Sequence, residues 1–470
     1  MALQLVLAGN TATVLNRTRY VDGLIDDALK FKPTDAEKDQ SFRDGLWDGY
    51  VHLYDGRFPI GLLSEVETLL TLQDAPYEVI DKRTSRFVKP IHLRARFTPR
   101  DYQVEAVDRA LRFRRGVIAL PCGGGKTLTA LMLIEKLHQP AVIYVHRKEL
   151  LYQTADTIKK VFGIQPGLVG DGHCKLAEVT VAMIQSVSKL PRAMFERFPV
   201  VILDEAHHCP AQQWYDIARA TRADYFIGLS ATPRREDGRE MLIWAGTGPI
   251  IYLLPTSTLI EQGFLARPFV HAIHMPALEL PGFLGYDNLY KVAVVYNRLR
   301  NRAIAQKAVE MSAIGKTYVH VKQIEHGRML TKLINSMQVP GSEKAIFLQG
   351  KDPSKRRNAE IQRFRTGNLG ILVSTLLGEG VDIPEMYALV LASGGLSETF
   401  VRQVFGRLLR ISDHDIVEFW DIADHTSHLY RHWLARARWY LSEPAFMLDS
   451  TVTSSLPTAR REASLDALAE

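Results

Sequence analysis

Short runs of β-branched and aliphatic residues alternate along most of the chain with segments of helical periodicity. Four runs between residues 141 and 232 read AVIYV, EVTVAMI, FPVVILDE and YFIGLSAT, and five more follow as KTYVHV, AIFLQG, GILVST, ALVLAS and IVEFWDI. Continuous apolar runs of this length, separated by helical or turn segments, are typical of strands buried in a parallel sheet. The pattern therefore predicts two α/β domains in tandem, each built around its own parallel sheet.

Breaks in this pattern predict the domain boundaries. Glycine and proline interrupt both periodicities in residues 246–268, so we place the junction of the two α/β domains in that segment. The predicted order is an N-terminal domain over 1–95, a first α/β domain over 96–252, a second over 253–445 and a tail over 446–470. The tail is small and polar near its end, which is typical of a flexible terminus.

The N-terminal segment carries a different pattern. Residues 42–63 read FRDGLWDGYVHLYDGRFPIGLL, in which two short alternating runs flank Asp55 and Gly56. An Asp-Gly pair between such runs is the strongest short-range signal for a β-hairpin. We therefore predict a small α+β domain with a hairpin ahead of the parallel sheets. Because each α/β domain can bury its own sheet, we expect both to fold without this module.

Composition places the chain among ordinary folded proteins. Of 470 residues, 46% are hydrophobic and 23% are charged. No apolar run reaches the roughly 18 residues that a membrane helix needs. The three cysteines are too scattered for a disulfide framework and the N-terminus lacks a basic segment with a cleavage site, so we expect a cytoplasmic protein.

A net charge of +6 is compatible with a polyanionic partner. The basic residues form clusters, such as Arg298, Arg300 and Arg302, and Arg436 with its neighbours on a predicted C-terminal helix. Each cluster is either a solvated helix face or a contact to nucleic-acid phosphates. The sequence alone leaves both interpretations open.

The segment LPCGGGKT lies between an apolar strand and a helical pattern, which is the context of a phosphate-binding loop. Its glycines at 123–125 can adopt positive φ, so that consecutive N–H groups face a phosphate at a helix N-terminus. Lys126 can then neutralise the β and γ phosphates, and the Thr127 hydroxyl can bind Mg²⁺. The strict phosphate-loop pattern has glycine where this chain has Leu120, so the alternative is a glycine-rich turn with a surface lysine.

Two carboxylates follow the buried strand in VVILDEAHH. Asp204 is placed to hold Mg²⁺ and Glu205 to orient and deprotonate an attacking water, because hydrolysis of a phosphoanhydride needs both functions. Farther along, QVFGRLLR supplies Gln403, Arg407 and Arg410. We predict that Arg407 and Arg410 share one helix face, from which both can approach a γ-phosphate.

These motifs resemble those of the superfamily 2 helicases, because the phosphate loop, DEAH, SAT and QVFGRLLR occur in the order of that family's motifs I, II, III and VI. The resemblance covers about residues 96–440 and implies two RecA-like domains that use ATP and Mg²⁺. The catalytic residues that it implies are Lys126, Asp204, Glu205, Gln403, Arg407 and Arg410, with Thr127 and Asp204 on the metal. The nucleotide-binding residues that it implies are Arg100, Gln103, Pro121, Cys122, Gly123, Gly124, Gly125, Lys126, Thr127, Gly380 and Asp382.

Two further segments resemble particular branches of that superfamily. The segment RRED after SATP is similar to a motif of the XPB branch that is implicated in duplex opening, and FRDGLWDG resembles the N-terminal module of the UvsW family of phage recombination helicases. The first resemblance implies nucleic-acid contacts from Arg235, Glu236 and Asp237, and the second from Arg43 and Trp47. Three further segments, VHRKELLYQ, AMIQS and STLLGEGVDIP, resemble those with which the superfamily grips a nucleic-acid strand, and they imply Arg147, Gln185, Ser186, Ser374 and Thr375. The alternative for Trp47 is a small core shared with Phe58.

We therefore predict an ATP-driven DNA helicase and translocase that remodels forks, Holliday junctions or R-loops in recombination and repair. The expected partners are branched or duplex DNA and RNA–DNA hybrids, with recombination or repair proteins as further candidates. We expect a monomer without a membrane partner. The alternatives are a motor subunit of a restriction-type complex, an RNA helicase and a non-catalytic nucleic-acid-binding module. The intact Lys126, Asp204 and Glu205 argue against the last of these.

Overall fold

The computed structural model describes residues 2–85, 88–206, 211–231, 238–280, 285–376, 385–395, 398–410 and 414–454, without the side chains of Arg192, Glu398, Thr399 and Gln403. The chain forms two compact units, one of residues 1–121 and 125–254 and one of residues 122–124 and 255–470. Each unit contains one large sheet. The finer division into domains at residues 95, 252 and 445 stays a prediction.

The first unit begins with a four-stranded mixed sheet in the order β5-β2-β1-β6 and a two-stranded pair of β3 and β4. The strands are β1 (Leu3–Ala8), β2 (Thr11–Leu15), β3 (Lys30–Phe31), β4 (Val51–His52), β5 (Arg57–Pro59) and β6 (Tyr77–Asp81). The helices are α1 (Arg19–Ala28), α2 (Gln40–Arg43) and α3 (Leu63–Leu72). We call this part, residues 2–85, the N-terminal module.

The predicted hairpin around Asp55 and Gly56 does not form. The chain does turn there, with Gly56 at a φ of +86°, but β4 pairs with β3 and β5 pairs with β2. The two alternating runs therefore belong to two different sheets. The physical reason is burial, because pairing with β2 places Phe58, which is 1% exposed, in the core of the four-stranded sheet.

The same unit continues with an eight-stranded sheet in the order β10-β9-β11-β8-β12-β13-β7-β14, in which only the edge pair β10 and β9 is antiparallel. Its strands are β7 (Arg115–Ala119), β8 (Ala141–Val145), β9 (Gly167–Gly170), β10 (His173–Lys175), β11 (Val179–Met183), β12 (Val200–Leu203), β13 (Tyr225–Ser230) and β14 (Ile250–Leu253). Its helices are α4 (Asp101–Phe113), α5 (Lys126–Leu137), α6 (Lys148–Phe162), α7 (Ile184–Val187), α8 (Ala211–Ala220) and α9 (Glu240–Thr247). We call this part the first large domain.

The second unit contains a seven-stranded parallel sheet in the order β17-β18-β16-β19-β20-β15-β21. Its strands are β15 (Arg267–Met275), β16 (Thr317–His320), β17 (Ile346–Leu348), β18 (Ile371–Ser374), β19 (Ala388–Leu391), β20 (Ile416–Asp424) and β21 (Met447–Leu448). Its helices are α10 (Thr256–Glu261), α11 (Tyr286–Tyr290), α12 (Arg298–Ser312), α13 (Ile324–Met337), α14 (Ser354–Arg365), α15 (Glu398–Leu408), α16 (Ser427–Leu441) and α17 (Ser450–Thr453), with a π-helical turn at Lys291–Val295. No helix in the described ranges is long and apolar enough to cross a membrane.

The α/β fold class with two parallel sheets is confirmed. All nine apolar runs of the sequence form strands, namely β8, β11, β12, β13 and β16 to β20. Strand β15 was not predicted, because Arg267 and Pro268 at its start and polar residues within it obscure the apolar run. Part of the predicted tail is also ordered, since β21 pairs with β15. Residues 455–470 lie outside the described ranges.

Two arginines of the predicted basic clusters are buried within the second unit and do not face solvent. Arg300 is 0% exposed, and its Nε donates to Asp424 Oδ1 at 2.9 Å. Arg436 is 3% exposed, and its Nε donates to Asp421 Oδ2 at 2.7 Å. A buried charge is stable only when it is paired and hydrogen-bonded, and both aspartates lie on β20. Neither arginine is accessible to a phosphate, so the interpretation of these two residues as nucleic-acid contacts is wrong.

The buried arginines also bind the turn that precedes α15. Arg300 Nη1 donates to the carbonyl oxygen of Ala392 at 2.8 Å, and Arg436 Nη1 donates to that of Gly395. Gly394 and Gly395 have φ of +58° and +106°, where a side chain would be strained. Two ion pairs on one strand thus fix the backbone from which α15 starts.

The N-terminal module and the first large domain share a hydrophobic core. The core of the four-stranded sheet includes Ala245 of α9, and Trp244 packs against it. Gly61 approaches α9 so closely that a Cβ there would lie 2.1 Å from the carbonyl oxygen of Trp244. Asn10 Nδ2 donates to the carbonyl oxygen of Ala218 on α8 at 2.7 Å. Our expectation that the first large domain folds without the module is therefore not supported, because its removal would expose this shared core.

Gly61→Ala should destabilise the first unit, since the added methyl group has to displace backbone atoms and cannot be relieved by moving a flexible side chain. We expect a loss of about 1–3 kcal/mol in the free energy of unfolding, which is the usual cost of overpacking. Urea denaturation followed by circular dichroism measures it. The matched control is Gly23→Ala on α1, where nothing lies within 4 Å of the position that the methyl group would take and helix propensity favours alanine. Equal stability of the two variants would contradict a tight interface.

Candidate nucleotide site and nucleic-acid interface

The glycine-rich loop connects strand β7 to helix α5. Strand β7 ends at Ala119, and α5 begins at Lys126. Gly123 and Gly125 have φ of +82° and +77°, in the region that residues with a Cβ rarely adopt. Gly125 immediately precedes the helix, so the free N–H groups of the first turn point toward the loop. A helix N-terminus of this kind binds phosphate through its N–H groups and its dipole.

Gln103 packs against this loop from helix α4. A Cβ on Gly125 would lie 2.4 Å from the Gln103 side-chain nitrogen, so the close approach requires glycine. Gln103 is 2% exposed, and its Oε1 accepts the backbone N–H of Arg100 at 3.0 Å. Arg100 in turn donates from Nη1 to the hydroxyl of Tyr102 at 2.9 Å. Gln103, predicted for nucleotide binding, thus lies directly beside the phosphate loop, with Arg100 bonded to it.

The two carboxylates that follow β12 lie beside the loop lysine. Lys126 Nζ is 3.3 Å from Glu205 Oε1. The backbone N–H of Glu205 donates to Asp204 Oδ1 at 3.0 Å, and Glu205 itself has a φ of +51°. Left-handed backbone at a residue other than glycine is uncommon and is concentrated at functional sites. Lys126 and the Asp204–Glu205 pair, which are far apart in sequence, therefore form one charged cluster beyond the ends of β7 and β12, two strands of the same sheet with β13 between them.

Burial raises the pKa of the Asp204 carboxyl to about 7. The Glu205 carboxylate raises this pKa further, and Lys126 opposes both effects. A bound divalent cation would favour the ionised form of such a carboxyl group. The carboxylate of Asp204 and the half-buried hydroxyl of Thr127 are oxygen donors of the type that Mg²⁺ prefers, so the residues present fit this metal.

The remaining predicted nucleotide residues are less completely described. Arg407 lies in the last turn of α15, whereas Arg410 lies beyond the end of that helix at Leu408, so the two do not share one helix face as predicted. Their roles toward a phosphate stay predictions. The following predicted residues lie outside the described residues or side chains: Arg235, Glu236, Asp237, Gly380, Asp382 and the side chain of Gln403.

Two family models match the segments that carry these residues. "Type III restriction enzyme, res subunit" matches residues 96–235, which include the phosphate loop and both carboxylates. "Helicase conserved C-terminal domain" matches residues 300–412, which include Arg407. The chain is a superfamily 2 helicase. By homology it is an ATP-dependent enzyme.

Relatives of this helicase include cellular and phage proteins. It is 27% identical over 356 residues to the DNA 3'-5' translocase XPB2 of Sulfurisphaera tokodaii, covering 67% of this chain and 79% of the relative. It is 24% identical over 474 residues to the ATP-dependent DNA helicase uvsW of Enterobacteria phage T4, covering 89% of this chain and 91% of the relative. Its fold is similar to the DUF1998 helicase MrfA bound to DNA, with a TM-score of 0.56, 15% identity and coverage of 77% of this chain and 54% of the other.

Three of the helicase's predicted nucleic-acid residues lie at the carboxyl ends of two adjacent parallel strands. Arg147 follows β8 and precedes α6, while Gln185 and Ser186 follow β11 on α7. Gln185 Nε2 donates to the carbonyl oxygen of His146 at 3.0 Å and so connects the two loops. The sequence does not identify His146 as part of this contact. The contact is made by its backbone carbonyl, which every type of residue carries.

Ser374 is less suited to a nucleic-acid contact than the sequence suggests. It is 0% exposed, and its hydroxyl donates to the carbonyl oxygen of Leu348 at 2.8 Å. The same hydroxyl accepts the backbone N–H of Leu376 at 3.0 Å, so it braces the end of β18. Thr375 beside it is half-buried. A nucleic-acid strand can therefore reach Thr375, whereas the hydroxyl of Ser374 is inaccessible to it.

Arg43 and Trp47 lie on the surface of the N-terminal module. Arg43 ends α2 and is exposed. The Trp47 indole N–H donates to the carbonyl oxygen of Tyr50 at 2.6 Å, and the ring meets Phe42 edge to face with centroids 6.4 Å apart. Phe58 is buried in the core of the four-stranded sheet, whereas Trp47 is half-buried in this surface loop. The alternative of a shared Trp47–Phe58 core is therefore not supported.

Asp204→Asn should change the pH dependence of stability. The raised pKa means that the folded protein holds the Asp204 proton more tightly than the unfolded protein does. The protonated carboxyl group therefore contributes to the free energy of unfolding in full below about pH 4, and this contribution is lost as the pH rises through about 7. Asparagine cannot ionise, so the stability of the variant relative to the wild type should rise as the pH increases from about 4 to about 7 and change little above that. Urea unfolding in EDTA without nucleotide measures the difference, with the exposed Asp216→Asn as control. A difference that falls with rising pH would contradict the assignment.

Proposed function

We propose that this helicase uses ATP hydrolysis to move along DNA and to remodel branched DNA, such as forks, Holliday junctions and R-loops, in recombination and repair. Its homologues are named as a DNA translocase and a DNA helicase, and by homology this chain is an ATP-dependent DNA helicase or translocase. The observation that carries the proposal is the contact of Lys126 with Glu205 beside a helix N-terminus suited to phosphate. The choice of branched substrates rests on the N-terminal module.

The ion pair suggests how ATP would activate Glu205. Lys126 holds the Glu205 carboxylate at 3.3 Å, and the phosphates of ATP would compete for the same ammonium group. Exchange of Glu205 for phosphate on Lys126 would release the carboxylate to orient a water molecule and accept its proton. Thr127 and Asp204 would hold Mg²⁺, which when bound supplies neutralisation of charge on the phosphate oxygens.

The fixed position of the N-terminal module supports a preference for branched DNA. A groove that follows one phosphate backbone binds linear and branched strands alike. A second contact at a set distance can distinguish them, and the module is held by the shared core with α9. Arg43 and Trp47 offer a cation and a ring on its surface, which are the groups that bind phosphates and unstacked bases.

A second candidate is the motor of a restriction-type complex, which the family model over residues 96–235 favours. A motor that tracks along duplex would show ATP turnover that depends on the length of linear DNA. The proposed function instead expects stronger stimulation by forks and junctions than by linear DNA of equal length. ATPase assays on matched linear, forked and four-way substrates separate the two.

Lys126→Ala should abolish nucleic-acid-stimulated ATP turnover, because the variant loses the cation that the loop directs at the phosphates and the partner of Glu205. Steady-state phosphate release with and without forked DNA measures it. The matched control is Lys136→Ala, which removes an exposed lysine from the same helix and should retain turnover. Wild-type turnover in the Lys126 variant would overturn the proposed ATP site.

Arg43→Ala should weaken binding to forks and junctions by about tenfold, because a charge-assisted hydrogen bond to phosphate contributes about 1.5–3 kcal/mol. Affinity for a single strand should change little. Fluorescence anisotropy with labelled oligonucleotides measures both affinities. Arg19→Ala, an exposed arginine on α1 of the same module, is the control. An equal loss on single-stranded and branched DNA would show that Arg43 does not select branched substrates.

A further inference from the structure

A polar cleft lies at the surface between the N-terminal module and the first large domain, beside the core that the two parts share. Its volume is about 420 Å³, within the range of about 300–1,000 Å³ that is usual for ligand sites. One wall is the segment from Val51 to Pro59, and the other is one face of α8 that carries Gln212, Tyr215 and Arg219 at helical spacing. None of the nucleotide-site residues described above lines it, and neither Arg43 nor Trp47 does.

Each wall supplies one exposed arginine. Arg57 comes from β5 and Arg219 from α8. No carboxylate among the described residues forms an ion pair with either guanidinium. Arg219 does bond with the hydroxyl of Tyr215, a contact that leaves other guanidinium N–H groups available. Two guanidinium groups facing one cleft are suited to a phosphate-bearing ligand.

The other titratable groups of the cleft have partners of their own. His52 contacts Asp26 Oδ1 at 2.9 Å through Nδ1 and Asp48 Oδ2 at 3.0 Å through Nε2, and these bonds raise the pKa of its ring. The hydroxyl of Tyr54 donates to Asp22. The Asp55 carboxylate accepts the backbone N–H of Arg57 at 3.2 Å. The two arginines therefore remain as the groups best placed to bind an added anion.

The cleft is held open by a fixed floor. Asn10 lines it and donates from Nδ2 to the carbonyl oxygen of Ala218, while Arg115 donates to the Asn10 side-chain oxygen. Arg115 is half-buried, with its Cζ 4.1 Å from the centroid of the Phe226 ring. A site whose walls are already in place does not lose ordering entropy when it binds, so it favours association.

We propose that this cleft binds a phosphodiester segment of a nucleic-acid strand, with Arg57 and Arg219 on its phosphates and Tyr215 beside a base. The proposal rests on the proposed function, since it supplies the motor with a second strand contact at the junction of the module and the first large domain. An aromatic ring next to paired cations is the combination that holds unpaired strands without selecting a base. The half-buried Tyr215 supplies that ring.

The test uses a double variant that carries both Arg57→Ala and Arg219→Ala. Its affinity for a labelled single strand is compared with that of the wild type by fluorescence anisotropy, without nucleotide and over a series of salt concentrations. Loss of two phosphate contacts should lower the slope of log affinity against log salt by about 1.4, because each contact to a single strand contributes about 0.7. Affinity should fall by about a hundredfold at low salt, because each of the two contacts is worth about tenfold. Replacing both arginines by lysine should keep the slope and lose part of the affinity, because lysine lacks the planar fork.

Arg222→Ala is the matched control, since this exposed arginine follows α8 and does not line the cleft. An unchanged slope and affinity in the double variant, or equal losses in the control, would overturn the inference. Thermal unfolding near that of the wild type establishes that both variants fold. Failure of the proposed function would be seen in a separate assay, as ATPase activity of the wild-type protein that DNA does not stimulate. The binding measurement shows in either case whether the cleft binds a nucleic-acid strand.

Discussion

Parallel pairing of the strands in the first large domain is the constraint on which the candidate site depends. Strands β7, β13, β12 and β8 are hydrogen-bonded neighbours that run in one direction, so the segments after them emerge at one edge. The phosphate loop follows β7 and the carboxylates follow β12. Lys126 and Glu205 meet there at 3.3 Å although the sequence separates them widely. The same geometry brings Arg147 and Gln185 together after β8 and β11.

Burial then determines what each charged residue can do. Asp204 is 5% exposed beside a carboxylate, so its ionised form is costly until a cation binds. Arg300 and Arg436 are equally buried but are already paired with Asp424 and Asp421. These two arginines stabilise the turn before α15 and have no free face for a phosphate. Asp204, a buried acid beside another carboxylate, thus belongs to the candidate site. The fully paired Arg300 and Arg436 instead have a structural role.

The shared core between the N-terminal module and α9 gives the module a defined place on the first large domain. Gly61 lies against the backbone of Trp244, and Asn10 bonds to the end of α8. A module joined by a linker would sample many positions, whereas this one is packed directly on α8 and α9. The cleft lined by Arg57 and Arg219 exists because the two parts pack in this way.

The sequence by itself determined nine strands of the two large sheets and the positions of the glycine-rich loop and of the two carboxylates after β12. Those signals are local, because an apolar run, a glycine series or an acidic pair is visible within a few residues. Local pattern failed at Asp55 and Gly56, where the two flanking runs pair with β2 and β3 and not with each other. It also failed to separate buried Arg300 from exposed Arg57, since one arginine resembles another until its partners are known. Only the tertiary structure decided those partners, because pairing and burial depend on contacts between residues that are distant along the chain.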